Sequence, residues 1–412
     1  MRPAVHTLAG LGLLLLATTA RAEPTSTVRP ELLLRVQDAP TLAAASRRVD
    51  AARERIDAAG RFPDPEVEGM LSEMDGPMGE SSTMYELALR QPLPKRGERS
   101  AARERARAAL AMSEAEFAVM AGELAGEVAM ALAEAEGAHQ RSALLETQLG
   151  RLDVVLRAIE IQLSSSNNSR LADRLTVQSR IASMQLMIEE ARRRADDAHA
   201  EIRGRLGLAP DAELPAYAAP ELNSIDPERS ARVKLAAARA SEAEAMVRMA
   251  QASARPMTAV GLRFERERMA MGDEDTVGVA FMSELPWRGR RYAKAEARAA
   301  QADRAAAQAD ATAVRHRARS ALARVARAER LAELARRLSQ ETLQRLNAEY
   351  ESMIGSAGVT STGGSTVLQL VELLEKATEA ELQVIEAVTA ARVARAELWT
   401  YADPARFTLN TF

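Results

Sequence analysis

Two short segments of this chain share one design. Gln91-Pro92-Leu93-Pro94-Lys95-Arg96-Gly97 and Ser283-Glu284-Leu285-Pro286-Trp287-Arg288-Gly289 each close an alternating apolar/polar stretch. Each also opens a long Ala-rich run without proline. Alternation reads as a strand, and an unbroken Ala/Glu/Arg/Leu run reads as a helix. A strand therefore hands over to a long helix twice, at Pro94 and Gly97 and again at Pro286 and Gly289. A length of 412 residues leaves room for two or three ordinary domains, but the recurrence points to one architecture built twice.

Residues 1–22 read as a signal peptide. Arg2 gives a positive start, Leu8 to Ala17 an apolar core, and Ala20-Arg21-Ala22 an A-x-A cleavage site. The expected mature chain begins near Glu23, outside the cytoplasm. The chain has no Cys, so no disulfide framework and no lipidated cysteine are expected. No stretch beyond the signal is long and apolar enough for a transmembrane helix. If the chain spans a membrane, a barrel is the remaining way to satisfy its backbone. The net charge is −3, with Lys/Arg interleaved among Asp/Glu along the helical runs. That pattern describes solvated helix faces and argues against nucleic acid as a partner.

In the first repeat, residues 23–220, a helix is predicted from Thr41 to about Gly60, stopped by Pro63 and Pro65. Strands are predicted at about 66–74 and 82–91, joined by a turn over Asp75-Gly76-Pro77 and Gly79. Val67, Leu71, Tyr85, Leu87 and Leu89 fall on one face and Glu66, Glu68, Met70, Met84, Glu86 and Arg90 on the other. The same alternation fits a soluble hairpin with one buried face and a strand pair of a membrane barrel. A helical hairpin is predicted over 97–208. Its first arm runs to about Leu163, about 100 Å at about 1.5 Å per residue. Leu145, Leu149, Leu152, Leu156, Ile159 and Leu163 form a heptad seam, answered by Val177, Ile181, Met184, Ile188 and Ala191 on the return arm. A polar tip, Ser164 to Ser169, joins them.

The second repeat, residues 221–412, follows the same plan. A helix is predicted from about Asp226 to Ala254, strands at about 258–267 and 276–285 around a Met271-Gly272-Asp273 turn, and a helical hairpin over about 289–401 with its tip at Gly355 to Ser365. Within each repeat the return arm and the helix before the strands, laid end to end, nearly match the long arm in length. Each repeat can thus make one continuous and one broken helical column, with Leu208 to Pro220 as an irregular belt at the break.

These features together resemble the outer-membrane efflux protein family, the TolC-like channels. The resemblance covers essentially the whole mature chain. It rests on the two junctions, on Phe62-Pro63-Asp64-Pro65 and Arg255-Pro256 before the hairpins, and on Leu206-Gly207-Leu208-Ala209-Pro210 after the first return arm. The short length and the Pro-Leu-Pro…Gly junction look most like the heavy-metal branch that includes CzcC and CusC. The resemblance implies a fold that is mainly α, an α+β arrangement of duplicated strand pairs and long helical hairpins. It implies a homotrimeric β-barrel in the outer-membrane lipid, continued by a periplasmic α-helical tube. It also implies a periplasmic adaptor (membrane fusion) protein and an inner-membrane pump of the RND type as partners, and no enzyme activity or cofactor.

Within the first tip, Asp173 and Leu175 match the family's Asp-x-Leu pattern. Three Asp173 side chains would then ring the entrance and attract cations; a solvated carboxylate favoured by a helix start is the alternative. The second tip has Thr366, Val367 and Gln369 where the family often has an acid, and its loop is longer. His139, His199 and His316 stand isolated in helical runs, without the close partners of a zinc site. Methionines gather at the hairpins: Met70, Met74, Met78 and Met84, then Met269, Met271 and Met282. Thioethers suit Cu(I), and they are equally adaptable filler. Three readings of function follow: an export duct for cations or other cargo, the same duct in drug efflux or type I secretion, and a periplasmic adaptor or coiled-coil scaffold. Two helical hairpins and two strand pairs argue against the adaptor.

Overall fold

The computed structural model describes residues 31–75, 81–165, 171–269, 272–284, 287, 289–357 and 365–407. The predicted signal peptide, the turn residues 76–80, Ser166 to Ser169 of the first tip, Met271 and Pro286 lie outside the described residues.

Among the described residues, seven helices and four strands follow in the order α1 (Glu31–Gln37), α2 (Pro40–Ala58), β1 (Glu66–Asp75), β2 (Ser81–Leu93), α3 (Glu98–Ser165), α4 (Leu171–Leu206), α5 (Ala231–Ser253), β3 (Met257–Met269), β4 (Gly272–Glu284), α6 (Gly289–Ala357) and α7 (Ser365–Ala396). Two 3-10 turns, Glu397–Tyr401 and Pro404–Phe407, extend the last helix. The strands form one antiparallel sheet in sequence order. No helix among the described residues is long and apolar enough to cross a membrane.

Several boundaries differ from the sequence expectation for local reasons. The helix expected from Asp226 starts at Ala231, because Pro227 and a turn precede Ser230, whose hydroxyl caps the helix by accepting from the Val233 amide. Gly272 and Asp273, expected in a turn, are paired with Met269 and Arg268, so this hairpin is longer than expected. Ser164 and Ser165 continue α3, and Gly355 to Ala357 continue α6, instead of belonging to the tips. α1 was not anticipated; its Leu32, Leu33 and Val36 are buried.

The continuous columns are α3 and α6, with 68 and 69 residues. Against α3 lie α4 and α2, with 36 and 19 residues. Against α6 lie α7 and α5, with 32 and 23. The broken columns are shorter than expected, and irregular chain makes up the difference. At the first break, Gly207 ends α4 with φ +66 and sits against Pro40, the first residue of α2. At the second, the Ala231 amide bonds the Ala402 carbonyl.

The main core lies at these breaks. Leu32, Leu42 and Val49 pack with Val128, Ile202, Leu398, Trp399 and Phe407. Glycines let α3 pass close by: a Cβ on Gly122 would stand 2.7 Å from the Trp399 carbonyl oxygen. The belt is fastened to this core. Trp399 Nε1 donates to Ala218 O at 3.0 Å and Tyr217 Oη donates to Arg392 O at 2.9 Å. A second cluster joins α3, α4 and α7 through Leu145, Leu152, Ile159, Val177, Met184, Ile188 and Val371.

Candidate functional site: a two-faced sheet and its junction with the helices

The antiparallel register turns period-two alternation into rows across all four strands. Val67, Leu89, Leu262 and Val279 form one row; Gly69, Leu87, Phe264 and Val277 form the next. Every apolar side chain in these rows is exposed, with Val67 at 70% and Val279 at 80%. Rows repeat every second residue, about 6–7 Å along the strand. The apolar stretch from Val260 and Phe281 to Leu71 and Tyr85 is therefore about 20 Å tall, close to the band a membrane barrel presents to lipid. In that last row, beside Tyr85, Arg266 binds Asp275 through both carboxylate oxygens at 2.6 and 2.7 Å, and beyond it the same face is polar, with Glu73, Thr83, Arg268 and Asp273.

The opposite face is charged. It carries Glu66, Glu68, Glu86, Glu265, Glu267, Glu274 and Glu284 against Arg90 and Arg263. Arg90 pairs with Glu68 at 2.6 Å, and Arg263 pairs with Glu86 at 2.9 Å and Glu265 at 3.2 Å. The carboxylates outnumber the guanidiniums, so this face has a net negative field. Met70, Met84 and Met282 lie on it; Met78 and Met271 lie outside the described residues. Among the described residues no group of three His, Cys, Asp or Glu could hold a metal ion. The outer edges of β1 and β4 have no strand partner among the described residues.

At the first junction Gly97 takes φ +82, a conformation that favours glycine. The Lys95 amide donates to the Glu98 carboxylate at 2.8 Å while the Glu98 amide donates to the Lys95 carbonyl at 2.9 Å, so the start of α3 is capped reciprocally. Pro94 is half-buried just before it. At the second junction Gly289 is the first residue of α6.

Asp173 lies in the first turn of α4 and is only 8% exposed, whereas its neighbour Leu175 is exposed. Sequence spacing presents His139 and His199 as isolated, but His139 on α3 acts on His199 on α4. Burial lowers the His199 pKa, and Arg203 and His139 lower it further against the pull of Asp196. Sequence reasoning missed the polar contact between α3 and α7. There Glu381 has its pKa raised by burial, opposed by Arg151 and a hydrogen bond from Gln148. A glutamate among leucines on a heptad was the only available signal.

Residues 34–208 match the family described as outer membrane efflux protein. No curated protein matches the chain by sequence. Solved structures share its fold along nearly the whole length. A membrane protein from Pseudomonas aeruginosa superposes with a TM-score of 0.72 at 18% identity, covering 92% of this chain and 91% of that one. The outer membrane protein VceC from Vibrio cholerae gives 0.71 at 16% identity over 92% and 96%. CusC, described by its folding and transmembrane channel formation, gives 0.68 at 16% over 90% and 91%.

Proposed function

We propose that this chain is the outer-membrane duct of a tripartite efflux system. The observation that carries this reading is the exposed apolar band on a sheet whose two edges are open. In water such a band is a large unfavourable surface, and in lipid an open edge leaves backbone groups unpaired. Three copies resolve both problems when β1 of each pairs with β4 of the next, giving twelve strands with the apolar faces outward. The helices continue this barrel as a tube in the periplasm, and exposed Leu171, Leu175 and Leu186 on α4 and Leu331, Leu334 and Leu338 on α6 are available to meet neighbouring helices. The protein resides in the outer membrane, catalyses no reaction and supplies a passive path.

The tips of the helical hairpins meet a periplasmic adaptor, and an inner-membrane pump of the RND type drives export. Heavy-metal cations are the cargo class we favour, because the lumen-side strand face carries seven glutamates against two arginines and such a wall favours cations. Asp173 is the candidate gate residue, with its burial relieved as the tip opens. The test is extraction and conductance. The account expects a trimer that needs detergent and opens cation-selective conductance in a planar bilayer. A monomer that is soluble without detergent and conducts nothing would leave the scaffold reading.

A further inference from the structure

The level where strands become helices gathers exposed arginines and exposed aromatic rings. Among the described residues, no ion pair joins Arg61, Arg96, Arg290 or Arg291 to an acid, and all four are exposed. Contacts place the first two at one level. Arg99 donates to Gly60 O at 2.8 Å and its guanidinium stacks 4.1 Å from the Phe62 ring, beside Arg61. Arg255 donates to Arg96 O at 2.6 Å. The pairing of Met257 with Glu284 brings the start of α6, with Arg290 and Arg291, to the same end of the sheet.

Aromatic side chains share this level. Trp287 is 90% exposed, and Tyr292 and Phe62 are exposed as well. Amphipathic rings at the end of an apolar band are the pattern of a membrane–water interface. Unpaired guanidiniums at such a level match phosphate groups in geometry and charge. We infer that this junction is a collar that binds the headgroups of anionic phospholipids in the periplasm-facing leaflet. Arg61, Arg96, Arg290 and Arg291 engage the phosphates, and Trp287 and Tyr292 anchor the chain at headgroup depth. The inference rests on the proposal that the sheet lies in the outer membrane.

The test uses the full-length trimer, in mixed vesicles of phosphatidylglycerol and phosphatidylcholine. Insertion is read by conductance, and lipid retained after extraction is read by native mass spectrometry. The wild-type protein is expected to retain phosphatidylglycerol preferentially. Each of R61Q, R96Q, R290Q and R291Q should lower that preference about fivefold, the effect of one basic residue near an anionic surface. Arg→Lys at the same positions should largely keep it, and every variant should still insert and conduct. Insertion without preference for the anionic lipid overturns the collar and leaves the duct standing. Failure to insert in either lipid overturns both.

Discussion

The backbone amide of Ala231 donates to the carbonyl of Ala402 across 3.2 Å, bonding the first residue of α5 to the chain just beyond α7. A broken column is thereby spliced into one axis. Asp403 strengthens the splice by binding Lys234 at 3.2 Å and Arg229 at 3.1 Å. In the other repeat the splice is steric: a Cβ on Gly207 would lie 2.7 Å from Cγ of Pro40.

Gly207→Ala should therefore destabilise the protein by about 1–2 kcal/mol for the left-handed backbone alone, with a further cost for the Pro40 contact. Gly204 is the control. It is helical, with nothing within 4 Å of an added Cβ, so Gly204→Ala should stabilise by up to about 1 kcal/mol. Denaturant unfolding of the two variants should shift in opposite directions.

Acid should loosen the Ala231–Ala402 splice. Burial pushes the Asp403 pKa up, but the Ala405 amide, Lys234 and Arg229 outweigh it, and the net shift is downward. A depressed carboxylate pKa contributes stability above its ordinary value, and that stability is lost as pH falls through the folded-state pKa. Asp403→Asn should remove this acid-sensitive part, giving a thermal midpoint that is lower at neutral pH and less steep in acid.

Glu381 carries the opposite sign. Its pKa is raised by burial, so its charge opposes the α3–α7 contact as pH rises through the ordinary carboxylate range and beyond. Glu381→Gln should protect amides of this contact in hydrogen exchange at neutral pH and change little in mild acid. Equal protection at both pH values would remove the charge from the explanation.

Much of this architecture is visible in the residues themselves. The alternation in Val67–Leu71 and Val277–Phe281 announces strands, and the heptad spacing of Leu145 to Ile159 announces a partner helix. Both signals are local. What escaped is non-local. The expectation that the last helix runs unbroken to Tyr401 fails because Glu397–Tyr401 tightens into a 3-10 turn. That turn brings Trp399 to Ala218 and places its ring 6.1 Å from Phe407. A lone Trp near the C-terminus does not say which chain it will meet. Nor does the sequence show that Asp173 is covered or that His139 and His199 are neighbours, because both depend on the pairing of α3 with α4.

Trp399→Phe keeps most of the ring and deletes the donor to Ala218 O. Because that carbonyl is left without its partner, the variant should lose about 1–3 kcal/mol. Trypsin cleavage at Arg203 and Arg205, next to the belt, should quicken at the same time; unchanged cleavage would mean that the belt is held elsewhere.

The central claim is that one face of the sheet meets lipid and the other meets water. The chain has no Cys, so single cysteines report cleanly. Val279 lies on the apolar face and Ala280, its neighbour in β4, on the other. In vesicles, Val279→Cys labelled with a fluorophore should be quenched by brominated lipid and protected from a water-soluble maleimide before labelling. Ala280→Cys should react with the water-soluble maleimide and resist lipid quenching. Equal aqueous reactivity at both positions, with no lipid quenching at either, would contradict the account.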